Sequence, residues 1–226
     1  MASITRNLLS ATARATSVSA RSIRTGGPLI RQRIIAGPSS STFSIRRGYA
    51  TSSGESSSID PSLTKALDLI ELGTKHLEEG DLNKAAKYYK ESIELKETSE
   101  GWYNLGNCEY HLQNKVKAVE SWGKSIELKP SADAHTNLAS AYILDSSPKP
   151  ALAIKHLTAA LELSPEDPEI AFNLAAVLES TNQLEPALTL YKKAQSGGIE
   201  RAAQNVRNVS AKIIGQRAKS QEEESK

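Results

Sequence analysis

The chain has 226 residues, room for one domain of ordinary size plus a tail, with 5% aromatic residues and a formal charge of +2. That charge averages two unlike parts: residues 1–50 hold eight Arg and no Lys, Asp or Glu, which leaves −6 on the other 176. Scarce aromatics and plentiful Ala favour helix packing, the single Cys108 excludes an intramolecular disulfide or a cysteine-based metal site, and no apolar run nears the ~18 residues that span a bilayer.

The opening stretch MASITRNLLSATARATSVSARSIRTGG is rich in Arg, Ser and Ala, and Ile4, Leu8 and Leu9 can line one side of a short helix away from Arg6 and Arg14. This is the composition of an organellar transit peptide, and there is no apolar core of ~7–15 residues for a secretory signal. IRRGYATSS resembles the site of the matrix processing protease, with Arg47 and Tyr49 before the cut and Ala50 after it. Residues 1–49 are therefore expected to be a disordered, cleaved mitochondrial presequence. The mature protein is expected in the matrix or on the matrix face of the inner membrane. A basic arm for nucleic acid or membrane, and plastid import, are the competing readings; the absence of acid, the Arg density and the junction favour mitochondria. A Ser-rich linker follows over 50–60, and Asp60-Pro61 reads as a helix start, with Asp as N-cap and Pro at the first helical position.

From there the sequence repeats. IELKETS (93–99), IELKPSA (126–132) and LELSPED (161–167) close successive segments, and ELGTKHL, NLGNCEY, NLASAYI and NLAAVLE open them. Gly73, Gly106, Ala139 and Ala175 hold one phase, and Ala85, Ala118, Ala153 and Ala187 a second, at spacings near 34 residues. Four units follow, 66–98, 99–131, 132–165 and 168–198, each of two short amphipathic helices. The third has a stretched inner turn, from Asp145 to Pro150. Apolar residues at Ile199, Ala202, Val206, Val209 and Ile213 predict a capping helix over 199–216, with 217–226 a disordered charged tail.

This pattern resembles the tetratricopeptide-repeat (TPR) family. The second unit carries Trp102, Leu105, Gly106, Ala118, Trp122 and Pro130. The first carries Leu72, Gly73, Ala85 and Tyr89; the third Leu138, Ala139, Tyr142, Ala153, Leu157, Ala160 and Pro165; the fourth Leu174, Ala175, Ala187, Tyr191 and Ala194. The resemblance implies an all-α fold, a TPR superhelix (α-solenoid) of four helix-turn-helix repeats plus the capping helix. The small residues let paired helices approach, and the large residue four after each Ala fills the wedge between neighbours.

In repeat phase, Asn104, Asn137 and Asn173 occupy one position, with Glu71 in the first unit and Asn205 in the capping helix. Helical geometry puts each on a face opposite the Leu and Gly, expected to line a concave groove. An amide offers both donor and acceptor to a peptide backbone, so a ladder of asparagines can hold an extended chain without reading its sequence. The competing reading is that Asn helps repeats stack. Groove neighbours are Glu100, Tyr103, Asn107, Asp133, Thr136, Glu169 and Phe172. Three acids in equivalent places point to a ligand of basic character; the alternative is an ordinary solvated acidic face. The cations of a chaperone carboxylate clamp are absent: Asp133 or Glu169 stands where that clamp needs Lys.

No catalytic motif, phosphate loop or metal-ligand spacing is found; Cys108 reads as core filler and His135, in the Trp slot of its repeat, as packing. No cofactor is expected, and an acidic body argues against direct RNA binding. The expected role is a non-enzymatic mitochondrial adaptor that holds a protein or peptide partner and supports assembly or maintenance of a complex. The alternatives are a self-assembling structural TPR module and an RNA- or ribosome-associated factor. An ordered helix capping the stack favours the adaptor; an uncovered apolar end favours self-association.

Overall fold

The computed structural model describes residues 60–225. The presequence over 1–49, its cleavage point at Arg47, Tyr49 and Ala50, and the linker up to 59 lie outside the described residues. The described chain is all-α, with nine helices: α1 (Pro61–Glu78), α2 (Leu82–Leu95), α3 (Ser99–His111), α4 (Lys115–Leu128), α5 (Ala132–Ile143), α6 (Pro150–Leu163), α7 (Pro168–Ser180), α8 (Leu184–Ser196) and α9 (Ala202–Glu224). They pack as four consecutive pairs and a final single helix, each touching mainly its neighbours in sequence. Such a stack is a solenoid, stabilised one interface at a time.

Local chemistry sets the helix starts. The carboxylate of Asp60 accepts from the Ser62 backbone N–H at 2.9 Å, and Pro61 occupies the first turn. Asp81, Thr98, Ser131 and Asp167 cap α2, α3, α5 and α7 in the same way. Three of the four inner turns share one geometry. Gly80, Gln113 and Asn182 have φ of 83°, 65° and 60°, and the next N–H bonds back five residues, as Asn114 does to the Glu109 carbonyl at 2.8 Å. The stretched third turn has no such residue; there the Lys149 N–H closes on the Tyr142 carbonyl at 2.9 Å.

Close approach within a pair explains the small residues. A Cβ on Gly73 would lie 2.6 Å from the Tyr89 ring, and one on Gly106 2.6 Å from the Trp122 indole. Tyr89, Trp122, Leu157 and Tyr191 are buried, as the wedge-filling role requires. Two serines add a brace that runs from the end of the second helix to the start of the first: Ser92 donates to the Ala66 carbonyl and Ser125 to the Ser99 carbonyl, both at 2.8 Å.

The two ends of the stack differ. Leu105, Leu138 and Leu174 are 3–5% exposed, whereas Leu72, in the same place on α1, is 43% exposed because no pair precedes it among the described residues. At the other end α9 covers α8 with Ala202, Val209 and Ile213. The helix runs on to Glu224, so 217–224 is helical and not the disordered tail expected from its composition. Most residues of 217–224 are good helix formers, and the Arg217–Glu185 pair at 3.7 Å ties the start of this segment to α8.

Candidate functional site

The residues expected to line the groove lie on α3, α5 and α7, but they are not equally open. Thr136, Asn137, Phe172 and Asn173 are 2–4% exposed and Asn107 7%, while Glu100, Tyr103, Asn104 and Glu169 are partly accessible and Asp133 is exposed. This alters the expectation of an open asparagine ladder. The face of a first helix that was to look into the groove partly meets the first helix of the next pair.

One contact shows how. Asn137 Nδ2 donates to Asn107 Oδ1 at 3.0 Å, and Trp122 Nε1 donates to the same oxygen at 3.0 Å. Asn107 is thus a buried acceptor joining α3, α4 and α5, and the amide of Asn137 is committed to stacking. One repeat later Ser140 replaces Asn107, and Asn173 Oδ1 is buried with no hydrogen-bond partner among the described residues. In the first pair, Thr74 Oγ1 and the Tyr89 hydroxyl lie 3.1 Å apart. The residue after the small Gly or Ala therefore answers the large residue of the second helix: Thr74 for Tyr89, Asn107 for Trp122. Asn104, half-buried, is the ladder member left facing outward.

The acids also divide. Glu169 forms an ion pair with Arg201, whose guanidinium carbon lies 4.3 Å from the centre of the Phe172 ring. Glu179 pairs with Lys212 at 2.6 Å and accepts from the Tyr191 hydroxyl at 2.8 Å. Glu100 has no such partner among the described residues, and burial raises its carboxyl above the ordinary range. The three equivalent acids are thus two with no ion-pair partner among the described residues, Glu100 and Asp133, and one satisfied from within.

Sequence reasoning passed over Arg201 and Glu109. Arg201 stands four residues before Asn205, the spacing of Glu100 to Asn104, so repeat phase was the signal available. Glu109 is a buried acid; burial opposes its ionisation, but Lys90 at 2.9 Å and Asn114 at 2.7 Å prevail and hold its carboxyl below the ordinary range. It lines an open cleft of about 450 Å³ with Ala86, Lys87, Lys90 and Lys117. No signal at the level of single residues marks Glu109 as a buried acid.

Nucleophilic chemistry has no support at Cys108, whose thiol is fully buried and pushed up to about 12 by that burial. His135 and His156 place their Nδ1 atoms 3.0 Å apart, and His156 stacks on Tyr142. Among the described residues no three His, Cys, Asp or Glu side chains gather as metal ligands, and no helix is long and apolar enough to cross a membrane.

Three tetratricopeptide-repeat family models match the chain, over residues 69–99, 99–132 and 148–196. No curated protein matches it. Among solved structures, it is similar to YrrB, described as a TPR protein with an unusual peptide-binding site, at 20% identity and a TM-score of 0.58, covering 67% of this chain and 84% of that one. It is also similar to a MamA structure at 24% identity and 0.57, covering 73% and 92%. Residues 41 to the end of MamA from Desulfovibrio magneticus RS-1 give 18% and 0.58, covering 73% and 92%. At these identities the likeness establishes the fold.

Proposed function

Because this chain belongs to the tetratricopeptide-repeat family, we propose that it is a non-catalytic adaptor holding an extended segment of a protein partner along the groove face of α3 and α5. The observation that carries this reading is the accessible set Glu100, Tyr103, Asn104 and Asp133. These are polar and aromatic groups on successive first helices, at a place where the fourth pair is already closed by α9. First helices of neighbouring pairs pack roughly 10 Å apart, so an extended ligand rising ~3.3 Å per residue meets them about every third residue. The half-buried amide of Asn104 can pair with its backbone.

The place of action we propose is the mitochondrial matrix or the matrix face of the inner membrane, supported by the eight Arg and absence of acid in residues 1–50. There the adaptor supports assembly or maintenance of a protein complex. The test is affinity capture from isolated mitochondria with the mature chain and with an Asn104→Ala/Asp133→Asn double variant of matched helicity by circular dichroism. Loss of specific partners from the variant is expected. Recovery of the same partners moves binding off this face. Sequencing the N-terminus of the recovered protein tests the compartment: a start at Ala50 is expected, and an intact Met1 in a non-mitochondrial fraction overturns it.

A second reading, self-association, has its own observation: Leu67 and Leu72 are 38% and 43% exposed on α1, the end of the stack that no other pair among the described residues covers. Sedimentation of the mature chain against Leu72→Lys separates it, since only an end-to-end assembly is broken by that charge.

A further inference from the structure

Repeat proteins contain their own controls, because equivalent positions recur in different surroundings. On α3 and α7 the same couple appears with the same spacing: an acid, then an aromatic three residues on, Glu100 with Tyr103 and Glu169 with Phe172. Three residues apart on a helix share a face. At α7 the couple is occupied. The Arg201 guanidinium lies over the Phe172 ring at 4.3 Å and forms an ion pair with Glu169. Its planar, weakly hydrated head suits that combination of stacking and charge pairing better than an ammonium does.

Arg201 comes from the equivalent place in repeat phase, as the N-cap residue immediately before α9. In repeat phase the row reads Leu67, Glu100, Asp133, Glu169, Arg201. Glu169 therefore has a guanidinium as its neighbour in the row, whereas Glu100 has the carboxylate of Asp133. The rest of α9 continues the pattern, with Lys212 on Glu179 and Arg217 on Glu185. Glu100 has no ion-pair partner among the described residues, and desolvation of its carboxyl raises its affinity for a proton, the expected behaviour of a half-buried acid without a cation. Tyr103, partly buried, packs against the cluster that contains Trp122 and Leu138, and it stands three residues from the acid on the same helix face.

Resting on the groove reading above, we propose that Glu100, Tyr103 and Asp133 form a seat for one arginine side chain of the bound polypeptide, repeating toward a ligand the clamp that α7 closes on Arg201. Selectivity follows from the chemistry: a lysine can neutralise the acids or approach the ring but has no planar head to stack on the ring while pairing with them, and a neutral isostere of arginine can stack but not neutralise.

The probe is a pool of ten-residue peptides with one central arginine flanked by randomised uncharged residues, titrated into the ¹⁵N-labelled mature chain. Matched pools carry citrulline or lysine in its place. Shifts of the amides of residues 100–107 and 133–137 are expected with the arginine pool, with affinity about tenfold weaker for citrulline and intermediate for lysine. Glu100→Gln is expected to remove the preference for arginine over citrulline. Asp133→Arg installs the residue found at 201; it is expected to raise the unfolding midpoint and abolish binding of the arginine pool, which keeps the result independent of any loss of fold. Equal binding of the arginine and citrulline pools at these amides, or unchanged binding to Asp133→Arg, overturns the seat and leaves the groove in place. Shifts confined to other surfaces, or none with any pool, overturn both.

Discussion

Asn104 and Asn107 stand three residues apart on α3 and belong to different parts of the molecule. Asn107 Oδ1 receives hydrogen bonds from Trp122 and Asn137, so Asn107→Ala leaves two buried donors unpaired. At ~1–3 kcal/mol for each unsatisfied buried group, urea unfolding should show a loss of about 3 kcal/mol. Asn104→Ala should stay within about 0.5 kcal/mol, because this partly accessible side chain enters none of the described hydrogen bonds. The His135–His156 contact gives a second residue-scale expectation. Burial lowers both imidazoles below their ordinary value, and His156, further depressed by His135 and Lys155, falls to about 4. The folded chain then binds fewer protons than the unfolded one between the free imidazole value and about 4. This contribution to stability is complete above ~6.5 and is lost as pH falls toward about 4. Denaturation midpoints measured across that window should drop with acidification, and His156→Phe, which keeps a ring against Tyr142, should flatten the slope.

At the scale of the element, the inner turns set where each pair folds back. Gly80 takes its left-handed φ of 83° freely and Asn182 tolerates 60°, but Gln113 at 65° carries a Cβ into a region disfavoured for most side chains. Left-handed backbone costs roughly 1–2 kcal/mol, and glycine returns part of any gain through the unfolded chain. Gln113→Gly should therefore raise the midpoint by a stability gain of roughly 0.5–1 kcal/mol, with Gly80→Ala moving it the other way. Gly80 has open space where a Cβ would stand, so that loss reads backbone conformation alone.

For the whole molecule the asymmetry of the ends is what matters. The α1 end leaves Leu72 exposed, while α9 supplies both apolar cover and cations to the last pair. Truncation before Ile199 removes Ala202, Val209 and Ile213 from the core and leaves Glu169 and Glu179 without their cations. At ~1.5–3 kcal/mol for each large apolar side chain, the loss is on the order of 5 kcal/mol. Among the described residues, truncation after Gln216 removes exposed ones and the solvent-exposed Arg217–Glu185 pair, and it should cost less than about 1 kcal/mol. Chemical denaturation of the two truncations against the mature chain distinguishes them.

Fold and phase were legible because periodicity is a local property. The spacing of Gly106 to Ala118, the wedge residues Tyr89 and Trp122, and the Asp60-Pro61 start can each be read within one unit, and each is where the structure puts it. The end of α9 departs from expectation for the opposite reason: a charged composition describes how a segment meets water, and does not forbid a helix anchored at its base.

The sequence by itself determined a helical repeat of fixed period and the places where small, large and amide residues recur. Only the tertiary structure decided which of those amides remain open. Asn104, Asn137 and Asn173 are identical in phase, yet Asn137 is bonded to Asn107, Asn173 Oδ1 is buried with no hydrogen-bond partner among the described residues, and Asn104 stays half-buried. It likewise decided that Glu169 is answered by Arg201 and Glu100 is not. Period is set by bonds along the chain, whereas exposure and charge compensation are set by the neighbour that stacking brings alongside, and that neighbour lies some thirty residues away.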